Sequence, residues 1–339
     1  MVRYRFVRYL IIFVFFYYLI YFYFNGDSTC KSGSKHRNSR LTNGDSDHQP
    51  KKVYAYNKNL PLVFISGIPG SGLDLMKSFL NRHEKISCSE EKADLLSNLI
   101  IKRNEWTNSK IEKERLKYAG MTDDVIDSAI TSFMLEIIMR QQLFLEDKLF
   151  GETICQSNPY IIKHIDYIKN LMPNVKFIFM IKDPRSSVTH LINRHIEYSG
   201  ISIKTFKQAL MDWNRMTKDV YYYCMVYKSL CLPVLYEELI LKPVSTLKRV
   251  FKFLNVEQLN QTQINHILNV NNINNRNFNE LFNWWRPYFP SSVLSQLNNL
   301  APYMLALGYD PINTTFNFTF HDKNFDDSLD SYNKKEIFL

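Results

Sequence analysis

A glycine-rich segment near the start of the body of the chain has the residue types needed to bind a phosphate. Leu62–Ile65 is a short apolar run typical of a buried strand, and 67–72 follows with the sequence Gly-Ile-Pro-Gly-Ser-Gly. From Leu73 onward, apolar side chains recur at helical spacing. A strand, a glycine loop and a helix direct backbone N–H groups and the positive end of the helix dipole at one anion. The segment predicts either an anion site or an ordinary tight strand-to-helix turn.

The same segment argues against an ATP-binding loop of the Walker A type. That pattern requires a glycine, four residues, and then Gly-Lys followed by Ser or Thr. Here Leu73 and Asp74 follow Gly72, so the lysine and the hydroxyl are both missing. An ATPase is therefore disfavoured.

The apolar pattern predicts an α/β fold with a central parallel sheet flanked by helices. Strands are predicted at 62–65, 176–181 and 233–236, and the second is a near-continuous apolar run typical of a strand covered on both faces. Helices are predicted over most of 95–145, with 123–139 the clearest, and at 159–171, 186–195, 206–227 and 243–254. Helices that alternate with apolar strands are typical of a layered parallel sheet.

The N-terminal residues predict a membrane anchor. Arg3, Arg5 and Arg8 precede the uncharged segment 9–24, which with its flanks can just cross a thin bilayer. No small-residue cleavage site follows, and positive charge before the span favours a cytosolic N-terminus. We predict a cytosolic tail at 1–8, an uncleaved signal-anchor helix at 9–24 and a lumenal body. A cleaved signal peptide is the alternative.

Cysteine usage and sequons agree with a secretory setting. Residues 25–60 are polar and predict a flexible lumenal stem, in which Cys30 is free or pairs between chains. In an oxidising lumen, the four cysteines of the body suggest two disulfides, Cys224–Cys231 as a local closure and Cys88–Cys155 as the remaining pair. N-glycosylation sequons begin at Asn260, Asn313 and Asn317.

The formal net charge of +9 suits acidic acceptors, anionic cofactors or membrane surfaces. No nucleic-acid-binding module is visible, so nucleic acid is not a predicted partner. No Cys-x-x-Cys pair or Cys/His cluster is present, so no metal site is predicted.

Several separated segments occur in the order known from one enzyme family. They are 64–76, Cys88–Glu91, Trp106, 119–138, 176–194, Asp212–Arg215, Leu235–Leu239, 301–305 and 307–311. With this set, about residues 60 to 312 resemble the tyrosylprotein sulfotransferases of the Golgi. The resemblance implies a P-loop-like sulfotransferase fold, with the sulfotransferase domain at 61–312 and a C-terminal tail at 313–339.

The resemblance also implies a reaction and its site residues. The reaction is sulfuryl transfer from 3′-phosphoadenosine-5′-phosphosulfate to tyrosines in acidic segments of secreted or membrane proteins, without a metal. It needs an anion cradle, a base near the tyrosine hydroxyl and cations facing the charge that develops on the leaving phosphate. Glu91 matches the family's catalytic base. The matching donor-binding positions are Gly70, Ser71, Gly72, Lys182, His190, Arg194 and Tyr236.

The chain departs from the family at several charged or hydroxylic positions. The family's loop reads Arg-Ser-Gly-Thr-Thr, whereas residues 70–74 of this chain read Gly-Ser-Gly-Leu-Asp. Ser157 stands at the position of the family's catalytic lysine, and His190 stands at the position of its phosphate-binding serine. Lys182 replaces an arginine, which keeps the charge and loses the bidentate fork. Losing one charged transition-state contact typically costs about 2.7–4 kcal/mol.

These departures leave rival functions open. One is a catalytically impaired pseudo-sulfotransferase that acts as a lumenal peptide-binding protein, and another is a sulfotransferase with an altered acceptor such as a glycan. Trp106 matches a dimer contact of the family, which implies a homodimer. The expected location is the Golgi membrane, as a single-pass type II protein with a lumenal catalytic domain.

Overall fold

The computed structural model of the chain describes residues 57–90, 94–145, 152–270 and 278–310. Five parallel strands form one sheet within these ranges, in the order β2-β3-β1-β4-β5. The strands are β1 (Leu62–Gly67), β2 (Ile86–Glu90), β3 (Thr153–Ser157), β4 (Val175–Ile181) and β5 (Cys231–Leu235). The predicted α/β architecture with a central parallel sheet is confirmed.

Helices occupy most of the remaining described chain. They are α1 (Leu73–Asn81), α2 (Leu95–Asn108), α3 (Lys110–Tyr118), α4 (Asp123–Leu145), α5 (Ile165–Leu171), α6 (Pro184–Asn193), α7 (Phe206–Val226), α8 (Tyr236–Leu241), α9 (Pro243–Leu254), α10 (Gln261–Val270), α11 (Phe278–Asn283), α12 (Ser291–Leu294), α13 (Leu297–Leu300) and α14 (Tyr303–Ala306). Two 3-10 helices span Ile161–His164 and Arg286–Tyr288.

Successive residues of the central strands enter two different cores. Phe64 of β1 packs on one face of the sheet, where its ring stacks on Phe177 at 5.7 Å between centroids. Val63 and Ile65 point to the opposite face and join the second core. Because helices cover both faces, every residue of β1 is buried, which explains why its sequence is apolar without alternation.

Three differences separate the observed elements from the predicted ones. β2 and β3 were not predicted, because each is short and contains polar residues. Tyr236 begins α8 instead of ending a strand. The helix predicted at 159–171 begins as the 3-10 helix Ile161–His164, where the Asn158 side chain accepts hydrogen bonds from the N–H groups of Tyr160 and Ile161.

Both predicted disulfides are confirmed. Cys88 and Cys155 lie directly opposite each other on β2 and β3, and their bridge links the two strands. Cys224 near the end of α7 bonds to Cys231 at the start of β5, which closes the short connection between these elements.

The predicted cytosolic tail, the anchor, most of the stem and the whole C-terminal tail lie outside the described residues. In the part of the chain that the structure describes, no helix has the length and apolar character needed to cross a membrane. Asn260 is exposed, and its side chain caps α10 by accepting the Gln263 N–H at 2.9 Å. The sequons at Asn313 and Asn317 fall outside the description.

Candidate active site

A cleft of about 550 Å³ opens at the carboxyl ends of the strands. Its lining includes residues of 69–75 after β1, Glu90 at the end of β2, Ser157 at the end of β3, Lys182 after β4 and Tyr236 after β5. After β1 the chain forms β2 and β3 on one side of β1, and it later forms β4 and β5 on the other side. The connections that follow the strands therefore run in opposite directions from β1, which leaves a crevice at its carboxyl end. Open α/β sheets bind ligands in the crevice that such a divergence creates.

A second cleft of similar volume, about 550 Å³, lies at the amino ends of the strands. Lys85, Glu152 and Lys176 contribute to its lining. Because ligands of this fold class bind at the carboxyl ends, we assign the candidate site to the first cleft.

The glycine loop that precedes α1 is shaped by two aromatic rings. Gly70 and Gly72 have φ angles of 88° and 95°, in the left-handed region that favours glycine. A Cβ atom at position 70 would lie 2.6 Å from Cδ2 of His190, and one at position 72 would lie 2.3 Å from Cδ2 of Tyr236. Both the backbone conformation and the close approach of the rings therefore require glycine.

Ser71 lies between these glycines, and its hydroxyl is buried. Within the described residues the Oγ atom has no hydrogen-bond partner. A buried hydroxyl without a partner is costly, so such atoms in native proteins usually serve a ligand or an ordered water. The unpaired hydroxyl, the tight loop and the amino end of α1 fit an anionic group bound at this edge of the sheet.

Lys182 and Tyr236 line the cleft where β4 and β5 end. The Lys182 ammonium lies over the Tyr236 ring, with Nζ 4.3 Å from the centroid, in a cation–π contact. The contact holds one positive charge at the ends of β4 and β5.

His190 is half-buried on α6 and packs against the loop at Gly70. Burial lowers the pKa of its imidazole, and the positive charges of Lys182 and Arg194 lower it further. Arg194 caps the end of α6 and is exposed. The three residues form a basic group beside the loop, in which the imidazole is neutral near pH 7.

A buried polar network lies beneath Lys182 and Tyr236. The Asp183 N–H donates to Oε1 of Glu237 at 3.0 Å, and the Tyr309 hydroxyl donates to Oε2 at 2.7 Å. Asp183 also pairs with Arg185, whose Nη2 lies 2.6 Å from Oδ2. Burial and the nearby Asp183 charge raise the pKa of Glu237 to about 7.

The network ties together the two strand ends that carry Lys182 and Tyr236, because each of these residues is the sequence neighbour of a network member. This arrangement was not predicted from the sequence. A local signal was present, since Asp183 and Glu237 both closely follow apolar strands.

The structure brings most of the predicted donor-binding residues to one edge of the sheet. Gly70, Gly72, Lys182 and Tyr236 line the cleft, and Ser71 is buried within the loop itself. His190 on α6 packs against Gly70, and Arg194 caps the end of that helix. The predicted base, Glu91, lies in the gap between the described ranges. Among the positions that depart from the family pattern, Asp74 and Ser157 line the cleft.

Two side chains at the cleft, one acidic and one aromatic, were not predicted as site residues. Glu90 lines it, and its Oε2 lies 2.6 Å from Nζ of Lys77 on α1. Tyr160 supplies an aromatic wall. No group of three or more His, Cys, Asp or Glu side chains able to hold a metal occurs in the ranges that the structure covers.

Comparisons with known proteins identify the family of the chain. A model of the sulfotransferase family matches residues 61–260. A protein-tyrosine sulfotransferase 2 of Gallus gallus is 32% identical over 81% of this chain and 75% of its own length. A protein-tyrosine sulfotransferase 1 of Danio rerio is 31% identical over 76% of this chain and 75% of its own length. The chain belongs to the protein-tyrosine sulfotransferase family.

Among solved structures, the sulfotransferase domain of the Synechococcus PCC 7002 olefin synthase has a TM-score of 0.46 and 17% identity, and the match covers 74% of this chain and 96% of that one. Gly70 and Ser157 line the cleft at the two positions where the family resemblance implies an arginine and a lysine, and Asp74 adds a carboxylate.

Proposed function

We propose that this chain transfers a sulfuryl group from 3′-phosphoadenosine-5′-phosphosulfate to tyrosine hydroxyls of proteins in the secretory pathway. The observation that carries the proposal is the glycine loop at the carboxyl end of β1. Its buried Ser71 hydroxyl has no partner in the described structure, and the Lys182–Tyr236 pair lines the same cleft.

The residues present fit an anionic donor. The loop 70–72 would hold the phosphosulfate end through backbone N–H groups, the Ser71 hydroxyl and the amino end of α1. Lys182 and Arg194 would supply the positive charge for the 3′-phosphate. The donor, when bound, supplies the sulfuryl group that is transferred.

The acceptor side of the reaction requires a base. The phenolic oxygen forms a bond to sulfur, the bond from sulfur to the phosphate oxygen breaks, and the phenolic proton passes to the base. We assign this role to Glu91, because Glu90, the residue before it, ends β2 and lines the cleft. Tyr160 and Ile196, which also line the cleft, offer an apolar surface to an aromatic acceptor.

A second candidate function is favoured by the charge of the cleft. Ser157 and Asp74 line it, and neither supplies a cation to the leaving phosphate. Loss of two charged contacts could reduce turnover by about 10⁴ or more if the losses were independent. The alternative is a pseudo-sulfotransferase that binds donor and peptide in the lumen without turnover.

A transfer assay with a binding control separates these functions. Full-length protein from a secretory host is mixed with radiolabelled donor and an acidic tyrosine peptide. We expect labelled peptide, and we expect the Glu91→Gln variant to lose at least about 100-fold in rate because the base is removed. Glu105→Gln, an exposed carboxylate on α2, is the matched control.

The outcomes of this assay are distinct. An unlabelled peptide, together with calorimetric binding of 3′-phosphoadenosine-5′-phosphate, would select the pseudo-sulfotransferase. No binding of that nucleotide to folded protein would reject both functions. Full activity of Glu91→Gln would reject the assigned base and leave the enzyme in place.

We also propose that the protein is a single-pass type II glycoprotein of the Golgi membrane with its body in the lumen. The uncharged segment 9–24, the sequons and the two disulfides support this location. Microsomes should protect the body from added protease, and a glycosidase should reduce its apparent mass. Cleavage of the body in intact microsomes would contradict the proposed orientation.

A further inference from the structure

The rim of the cleft carries two carboxylates that oppose the binding of an anionic donor. Asp74 and Glu90 both line it, and among the described lining residues Lys182 is the only basic one. A carboxylate that faces a phosphate or sulfate across a partly enclosed cleft repels it. Another positive charge close to these carboxylates would remove the conflict.

Lys77 supplies that charge from the first turns of α1. Its Nζ lies 2.6 Å from Oε2 of Glu90 and 3.6 Å from Oδ1 of Asp74. The side chains of Lys77 and Glu90 are 21% and 28% exposed, so solvent screens this pair only in part. Asp74 is 83% exposed, and its pairing with Lys77 is correspondingly weak. The main electrostatic effect of Lys77 is therefore on Glu90.

The position of this pair is set by strand register. Glu90 is the register partner of Ser157 on β3, and Ser157 is in turn the partner of Ile65 on β1. The ammonium of Lys77 is therefore held against the strand ends from which the cleft is built.

The same face of α1 makes a second contact with β2. One turn beyond Lys77, the Asn81 side chain accepts the Cys88 N–H at 2.6 Å and donates to the Cys88 carbonyl at 3.3 Å. Asn81 thus attaches the helix to the strand without any charge. Because Asn81 already links α1 to β2, this link does not require the charge of Lys77.

We propose that Lys77 is an electrostatic positioning residue that neutralises Glu90, and to a lesser extent Asp74, so that the cleft accepts an anionic donor. The inference rests on the proposed function and concerns the binding of the donor, not its turnover. The positive charge of Lys77 on α1 acts on donor binding through the carboxylates of the rim.

The test uses full-length protein and 3′-phosphoadenosine-5′-phosphate as the probe, with calorimetry at low and at physiological ionic strength. Lys77→Met should weaken binding about 10-fold at low salt, and by less at higher salt because screening reduces the repulsion from Glu90. Lys77→Arg should stay within about 3-fold of the unchanged protein, because it keeps the charge. Lys102→Met, which breaks the exposed pair with Glu105 on α2, is the matched control.

A purely structural role for Lys77 is separated by the double variant Lys77→Met/Glu90→Gln. This variant cannot re-form the ion pair, yet it removes the repulsive carboxylate, so we expect binding within about 3-fold of the unchanged protein. Binding as weak as that of Lys77→Met alone would overturn the inference, as would unchanged binding by Lys77→Met.

Two further outcomes complete the test. If Lys77→Met does not fold, Glu90→Gln alone should bind the nucleotide more tightly than the unchanged protein, and equal or weaker binding would contradict the inference. If the unchanged protein does not bind the nucleotide, the proposed function fails and the inference fails with it.

Discussion

At the scale of single residues, the conformation of the glycine loop depends on the absence of side chains at Gly70 and Gly72. The imidazole of His190 occupies the space into which a side chain at position 70 would project. The residue at position 70 and the residue at position 190 are therefore sterically coupled, because glycine at 70 leaves room for the ring of His190. Restoring a long side chain to the loop would require a smaller residue on α6.

This coupling predicts the stability of Gly70→Ala. The variant should lose about 1–3 kcal/mol of unfolding free energy, because alanine is strained at a φ of 88° and its Cβ meets His190. Gly120→Ala is the matched control, since Gly120 has a φ of 78° and open space around its Cβ. Urea unfolding should show the larger loss for Gly70→Ala.

The double variant Gly70→Ala/His190→Ser tests the steric part. Relative to His190→Ser alone, the added cost of the alanine should fall to that of Gly120→Ala, because only backbone strain remains. An undiminished cost would show that the His190 ring is not the obstacle.

Glu237 predicts a pH dependence of stability. Burial, followed by the charge of Asp183, raises its pKa from 4.5 to about 7, so the folded state retains a proton that the unfolded state has lost. Unfolding free energy should therefore fall as pH rises from about 4.5 to 7, by up to about 3 kcal/mol from this group. Below pH 4.5 the contribution is fully present, because both states are protonated.

Urea midpoints measured across this pH range would check the prediction. Glu237→Gln should flatten the decline, because glutamine keeps the shape of the side chain and does not ionise. Glu105→Gln serves as the exposed control. Parallel pH profiles for the unchanged protein and Glu237→Gln would contradict the assignment.

At the scale of elements, the cleft depends on the alignment of strand ends. β2 and β3 form one edge of the sheet, and the Cys88–Cys155 bridge joins them two residues before Glu90 and Ser157. The bridge closes a loop of 67 residues, whereas Cys224–Cys231 closes one of 7. In the chain-entropy account of disulfides, the longer loop stabilises more.

Removal of each bridge should therefore have a different effect. Cys88→Ser/Cys155→Ser should cost about 2 kcal/mol more unfolding free energy than Cys224→Ser/Cys231→Ser, from the ratio of loop lengths. It should also weaken binding of 3′-phosphoadenosine-5′-phosphate, because the strand ends at the cleft lose their link. Equal losses in chemical denaturation would show that native-state contacts outweigh chain entropy here.

At the scale of the whole molecule, we propose a homodimer through the region of Trp106. This residue lies half-buried on α2, and nearby Ile101 and Ile111 are 42% and 72% exposed. Apolar side chains left exposed on neighbouring helices are consistent with a protein contact.

The dimer predicts a specific response to mutation. Full-length protein should have twice the chain mass in chromatography with light scattering, after the detergent mass is subtracted, and Trp106→Ala should shift it toward the monomer. Tyr118→Ala, which removes an aromatic ring that is 97% exposed on α3, is the control. A monomeric unchanged protein, or a Trp106→Ala variant that remains dimeric, would refute the assignment.

Local pattern was sufficient for the elements whose signal is contained in a few consecutive residues. β1 and β4 are continuous apolar runs because both of their faces are covered, and α1 follows its glycine loop with clear helical spacing. β2 and β3 carry no such signal. Their serines and threonine are buried by neighbouring strands and helices, and short polar strands have no distinctive period.

The sequence by itself therefore determined the α/β class, the glycine loop, the pairing of four cysteines and the family, since each of these depends on residue type, short spacing or ordered motifs. Only the tertiary structure decided which side chains share the cleft. Strand register placed Glu90 beside Ser157, the end of β5 brought Glu237 to Asp183, and α1 brought Lys77 to Glu90. Such contacts join residues 13 to 67 positions apart, and a local periodicity contains no information about them because they form only when separate elements pack together.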